Sequence, residues 1–269
     1  MKLQIVPARI GVQWVKLGVQ TFWRQPLALA ALFILAIVGM SLISIVPLIG
    51  PALALALLPA TSLAMMVAAA EATQGRFPTP ALLLVAFRTG RQRLNAMVML
   101  GLLYAVGFLA IMGLSALIDG GTFAEIYLGG EPMTREIAED PAFQSAMWLS
   151  MALYIPLSLM FWHAPGLIHW HGIPPVKALF FSLVACMRNW RAYLVFCFAW
   201  MAFFMACGIV LALLTGILAS LIGTVAGGIM VGAAMILAAM FFTSIVFTFR
   251  DSFSAPDPTN PADAELLEE

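Results

Sequence analysis

Three histidines fall in one short stretch, Phe161-Trp162-His163-Ala164-Pro165-Gly166-Leu167-Ile168-His169-Trp170-His171, and three cysteines follow at Cys186, Cys197 and Cys207. Imidazole and thiolate are the common ligands of transition metals. The spacing argues against that use. Histidine offsets of 6 and 2 do not stack on one helical face as offsets of 3 or 4 would. The cysteines, odd in number and far apart, build neither a disulfide framework nor a zinc site, and read as small apolar packing residues. No Gly-rich phosphate loop, Ser-His-Asp order or HExxH motif occurs. No catalytic residue, metal ligand or cofactor is assigned, and the chain reads as a non-enzyme.

Two ionisable residues are weak candidates for a solute pathway. Glu71 ends a long apolar run, where such groups often mark one, although Arg76 is near enough in sequence for a solvated ion pair instead. His163 is the other, set against the reading of the whole stretch as a Trp/His belt at the end of a membrane span. Glu136, Glu139 and Asp140 share a face that a divalent cation would suit, but Asp140 before Pro141 reads better as a helix N-cap with proline in the first turn.

The elements that must carry these residues are set by composition. Of 269 residues, 63% are hydrophobic and 10% charged, against roughly 45–50% and 25% in ordinary soluble domains. A soluble core of this size cannot hide so much apolar surface, so the excess must face lipid. Lys+Arg and Asp+Glu are both 13, which leaves no basic field for nucleic acid. Six stretches free of Lys, Arg, Asp and Glu, at 27–49, 51–70, 95–118, 145–168, 193–218 and 223–249, each match the roughly 20 apolar residues that a bilayer core requires. Their uninterrupted runs, without strand alternation, predict an all-α integral membrane domain over 1–249. The segment before the first run lacks a signal peptide's apolar region, so that run is expected to stay as an anchor.

Lys and Arg resist translocation, and twelve of the 13 fall in the amino-terminal segment, the second-to-third and fourth-to-fifth connections, and just after the last span. Arg135 alone lies in the acidic loop over 119–144. Both termini are therefore expected in the cytoplasm of a bacterium, with the chain multi-pass in the inner membrane. The Pro47-Leu48-Ile49-Gly50-Pro51 junction reads as a hairpin turn at the outer face, with a re-entrant pair as the alternative. The acidic, Pro-rich tail over 250–269 is expected to be disordered.

One pattern recurs three times. A Pro-started amphipathic segment ends in Arg beside an amide and leads into two spans, at Arg24-Gln25-Pro26, Arg91-Gln92-Arg93 and Arg188-Asn189-Trp190. The first copy, over 7–24, is clearest: Arg9, Gln13, Lys16, Gln20 and Arg24 form one polar stripe with Trp14 and Phe22 off it. Such helices are expected in the headgroup plane, with Arg9, Lys16, Arg24, Arg88, Arg91, Arg188, Arg191, Trp14, Trp23 and Trp190 at the membrane interface. The expected architecture is three hairpin units, each preceded by a cytoplasmic interfacial helix. Small residues at Ala52, Ala56, Ala60, Ala64 and Ala68, and at Gly223/Gly227 and Gly228/Gly232, should pack helices within the chain.

Val6-Pro7-Ala8 with the Trp14 helix, Phe22-Trp23-Arg24-Gln25-Pro26-Leu27, Ile45-Val46-Pro47-Leu48-Ile49-Gly50, Phe161-Trp162-His163-Ala164-Pro165, and Pro174-Pro175-Val176-Lys177-Ala178-Leu179-Phe180 to Arg188-Asn189-Trp190 resemble a family of uncharacterised multi-pass inner-membrane proteins of beta-proteobacteria. More distantly, the chain is similar to glycerophosphodiester phosphodiesterase-associated membrane domains, which also repeat helical hairpins. The resemblance implies membrane location and transfers no catalytic residue. The expected role is to organise lipid, or a membrane protein partner, at the cytoplasmic leaflet. The alternative is a transporter or channel for a small uncharged or zwitterionic solute, disfavoured by the lack of charge in mid-membrane. A reporter fused at Glu131 should read as outside the cytoplasm, and one after Arg250 as inside; a cytoplasmic signal at Glu131 overturns this topology.

Overall fold

The computed structural model describes residues 2–222 and 225–254. Residues 250–254 of the tail expected to be disordered are ordered, the last helix running to Ser252 and Phe253–Ser254 pairing with Lys2–Leu3; Met1, Gly223, Thr224 and the tail from 255 on lie outside the described residues. Eight helices carry the architecture: α1 (Ile10–Arg24), α2 (Pro26–Ser44), α3 (Gly50–Thr73), α4 (Arg91–Asp119), α5 (Pro141–His171), α6 (Pro175–Arg188), α7 (Trp190–Ile222) and α8 (Val225–Ser252). Six of them, α2, α3, α4, α5, α7 and α8, contain stretches long and apolar enough to cross a bilayer. The main non-helical pairing is a two-residue antiparallel ladder of Lys2–Leu3 with Phe253–Ser254.

Local chemistry sets the helix ends. Asp140 caps α5 as expected, its side chain accepting from the Ala142 N–H at 3.0 Å, with Pro141 in the first turn. The same helix stops at Gly172, where a φ of 65° suits glycine and the N–H bonds back to Ile168 and Leu167. α2 ends at Ser44, earlier than the expected 49, because the residue before Pro47 is pushed out of helical geometry. The chain reverses over 45–49, where Leu48 has a φ of 69° and is 99% exposed. Pro59, Pro156 and Pro165 lie inside continuous helices.

The chain divides into two compact units. The first contains the described residues of Met1–Ala36, Ser62–Val85 and Val184–Glu269. Here α1 packs against both α7 and α8. Its buried residues Gly11, Trp14, Val15, Gly18, Thr21 and Phe22 lie on one face, opposite Gln13, Lys16 and Gln20. The Trp14 ring lies 5.3 Å from Tyr193 and 5.9 Å from Phe196, centroid to centroid. Trp200 donates from Nε1 to Ser244 Oγ at 3.2 Å.

The second unit contains Ile37–Thr61 and Ala86–Leu183. α4 packs along α5, with Tyr104 edge-on to Phe161 at 5.0 Å and its hydroxyl 3.3 Å from that of Tyr154. Gly101 lies against the Ala56 carbonyl, so this part of the alanine ridge packs inside the chain as expected. The glycine ridge of α8 does not: Gly227, Gly228 and Gly232 have nothing within 4 Å of the place a Cβ would occupy. Their small size admits close approach, but among the described residues no neighbouring helix uses it.

The α1 packing depends on two glycines. A Cβ on Gly18 would meet Ser244, with its Cα at 2.8 Å, and one on Gly11 would meet Ala192 O and the Phe196 nitrogen, the latter at 2.7 Å. Gly18→Val should force α1 off α8 and cost about 1–3 kcal/mol or more, as overpacking does, lowering the thermal midpoint in detergent. Gly39→Ala, with open space around it, should leave that midpoint unchanged.

Candidate functional site

The three Arg–amide junctions are the polar feature of interest, and each is held differently. At the first, Arg24 Nη1 donates to Thr73 O at 3.0 Å and Gln25 Nε2 to Arg76 O at 3.1 Å. Helix ends leave carbonyls without intrahelical partners, and Arg24 and Gln25 supply donors to the end of α3 and the turn after it. At the third, Asn189 is 2% exposed. Its Oδ1 accepts from the Val6 N–H and its Nδ2 donates to Gln4 O, both at 2.9 Å. This amide clamps the amino-terminal strand.

The middle junction is open. Arg91, Gln92 and Arg93 are exposed at the start of α4, after Gly90, which provides no side-chain cap. Among the described residues none of the three forms a hydrogen bond or an ion pair. Gln92, Arg93 and Asn95 instead line a cavity of about 440 Å³ whose other walls include Met99, Ile168 and Pro174. His169, next to Ile168, lies within electrostatic reach of Arg93, and its buried Nδ1 has no hydrogen-bond partner.

The other expected interface residues are distributed as follows. Arg9, Lys16, Arg88, Arg188 and Arg191 are exposed, Trp23 is 62% and Trp190 53% exposed, and Arg191 lies over the Trp190 ring at 5.4 Å. Trp14 is a correction. It is fully buried and donates from Nε1 to Asp251 Oδ2 at 2.9 Å, because α7 and α8 cover the face expected to meet lipid. Gly11 and Gly18, seven residues apart on the Trp14 face, were the sequence signal for such close packing.

The two pathway candidates, Glu71 and His163, lie in different surroundings. Glu71 pairs with Arg76 at 3.4 Å. The His163 side chain is fully buried, and its backbone N–H donates to Ser182 Oγ at 2.9 Å, while that hydroxyl donates to Leu159 O at 2.7 Å. The hydroxyl of α6 thus inserts into the α5 ladder at the step from 163 to 159. Among the described residues no three His, Cys, Asp or Glu side chains gather as a metal site. Burial pushes the Cys186 thiol up to about 12, in keeping with a packing role.

Six apolar spanning helices with cationic connections define a multi-pass α-helical membrane protein. A relative in Burkholderia thailandensis, described as a probable inner membrane protein, is 38% identical over 264 residues, 97% of each chain. The chain belongs to this inner-membrane protein family. No family profile matches it, and no solved structure does.

Asn189→Leu removes both bonds to the amino-terminal segment while keeping side-chain volume. It should cost about 1–3 kcal/mol for the buried groups left unpaired and speed hydrogen exchange at residues 4 and 6; unchanged exchange there would remove the clamp.

Proposed function

We propose that this inner-membrane protein is non-catalytic and organises anionic lipid, or a membrane protein partner, at the cytoplasmic leaflet, with both termini in the cytoplasm. The observation that carries the reading is a set of exposed cations with no carboxylate partner among the described residues. Arg9, Lys16, Arg24, Arg88, Arg91, Arg93, Lys177, Arg188 and Arg191 are exposed, and the ion pairs among the described residues involve other basic residues. Six spans place all of these cations in connections of the same parity. Cations near an anionic leaflet are each worth about 1 kcal/mol, so a charge without an internal partner is free for that use.

The repeat supports the same reading. α1 precedes α2 and α3, the short helical run through Pro80–Leu84 and Val85–Arg88 precedes α4 and α5, and α6 precedes α7 and α8, which we take as three units of one plan. α6 fits an interfacial helix: Val176 and Phe180 are 67% and 61% exposed beside the exposed Lys177. A solute pathway finds less support, since the cavity lined by Ile43, Val46, Leu53, Phe87, Val98 and Leu102 has only apolar walls.

The test is the lipid that leaves with the protein when it is extracted in polymer-bounded membrane patches. Wild type should carry an excess of anionic phospholipid over the bulk membrane. Replacing Arg9, Lys16, Arg88, Arg91, Arg188 and Arg191 together by Gln should lower that excess, while a reporter at Glu131 keeps its side. An unchanged lipid profile in the variant would end this reading.

A further inference from the structure

The geometry points to the cavity at the α4 start and α5 end as a specific site for the phosphodiester of an anionic phospholipid, with Arg93, Gln92 and Asn95 holding the headgroup. This deepens the proposed function and rests on it. The three junctions differ in what they do with their polar groups. Arg24 and Gln25 are bound to carbonyls at 73 and 76, and Asn189 is bound to residues 4 and 6. The middle junction, with the same residue types, has no such protein partner and faces a cavity of about 440 Å³ instead.

Three features select the ligand class. The cavity offers one guanidinium and two carboxamides, a donor set suited to the oxygens of a singly charged phosphodiester. The start of α4 adds N–H groups that no side chain caps, and their dipole favours an anion. Arg93 itself is exposed at the cavity and pairs with no carboxylate among the described residues, so its charge remains open to an anion.

The remaining walls explain why the ligand is a lipid. Met99, 47% exposed, lies two turns along α4 from Gln92 and lines the same cavity with Ile168 and Ile173. A headgroup on Arg93 therefore leaves its acyl chains to run along an apolar wall into the span. Among the described residues no acidic side chain lines the cavity, so the ammonium of a zwitterionic headgroup finds no counter-charge there, and an anionic headgroup is preferred.

The experiment uses the full chain, delipidated in detergent and titrated with short-chain phosphatidylglycerol, phosphatidylethanolamine or sn-glycerol 3-phosphate, bound copies being counted by native mass spectrometry. Wild type should retain one phosphatidylglycerol, with phosphatidylethanolamine weaker. Arg93→Gln should weaken that copy about tenfold or more, the size of a lost charge-assisted hydrogen bond. Arg93→Lys should recover part of the affinity, and Arg135→Gln, in the loop over 119–144, should leave it intact. Equal retention by wild type and Arg93→Gln overturns the site. So does equal binding of the two lipids, or glycerol 3-phosphate binding as tightly as phosphatidylglycerol, which would make the ligand a free phosphate ester. If Arg93→Gln keeps the bound lipid while the extracted patches still show the anionic excess, the specific site fails and the broader reading stands.

Discussion

Water is absent from the bilayer core, so every polar group carried there must find its partner inside the protein. Several hydroxyls of the spans meet that constraint, although Ser150 Oγ in α5 is buried without a partner among the described residues. The hydroxyls of Ser115, Thr243 and Thr248 each donate to a carbonyl three or four residues earlier in their own helix, and the Trp200 indole reaches Ser244. Where the α5 ladder opens between His163 and Leu159, Ser182 closes it from α6 with one donated and one accepted bond. Such a bond joins two helices more specifically than apolar contact does, because in lipid the apolar surfaces of helices have no water to escape.

The same constraint moves the polar chemistry to the helix ends, where backbone groups run out of intrahelical partners and charge is tolerated. There the repeated Arg–amide pattern serves more than one purpose. In one copy it supplies donors to the end of α3 and the turn beyond, and in another it pins the amino-terminal strand beside the last helix. In the middle copy the polar groups line a cavity. Identical residue types therefore part company in what they hold: backbone carbonyls at the first junction, the amino-terminal segment at the third, and a cavity wall at the middle one.

α1 illustrates the ambiguity of amphipathic pattern. A helix with one apolar and one cationic face can lie on a membrane or cover other helices, and both surroundings are apolar on the buried side. The Trp14 indole, bonded to Asp251, and the close approach of Gly11 to Ala192 and Gly18 to Ser244 decide it for packing. Lipid would not have required glycine at either position.

The sequence by itself determined the six helices, because bilayer thickness and the exclusion of charge act on composition alone. It also determined the Asp140-Pro141 start of α5 and the presence of polar groups at the helix ends, since capping and charge placement are local. Only the tertiary structure decided which groups were spent. Ser182 could be assigned to the α5 backbone at 163 and 159, and Asn189 to residues more than 180 positions away, because those bonds join segments whose proximity no local pattern encodes. For the same reason the cavity at Arg93 was invisible in the chain: its walls come from the start of α4 and the turn after α5, and only packing brings them together.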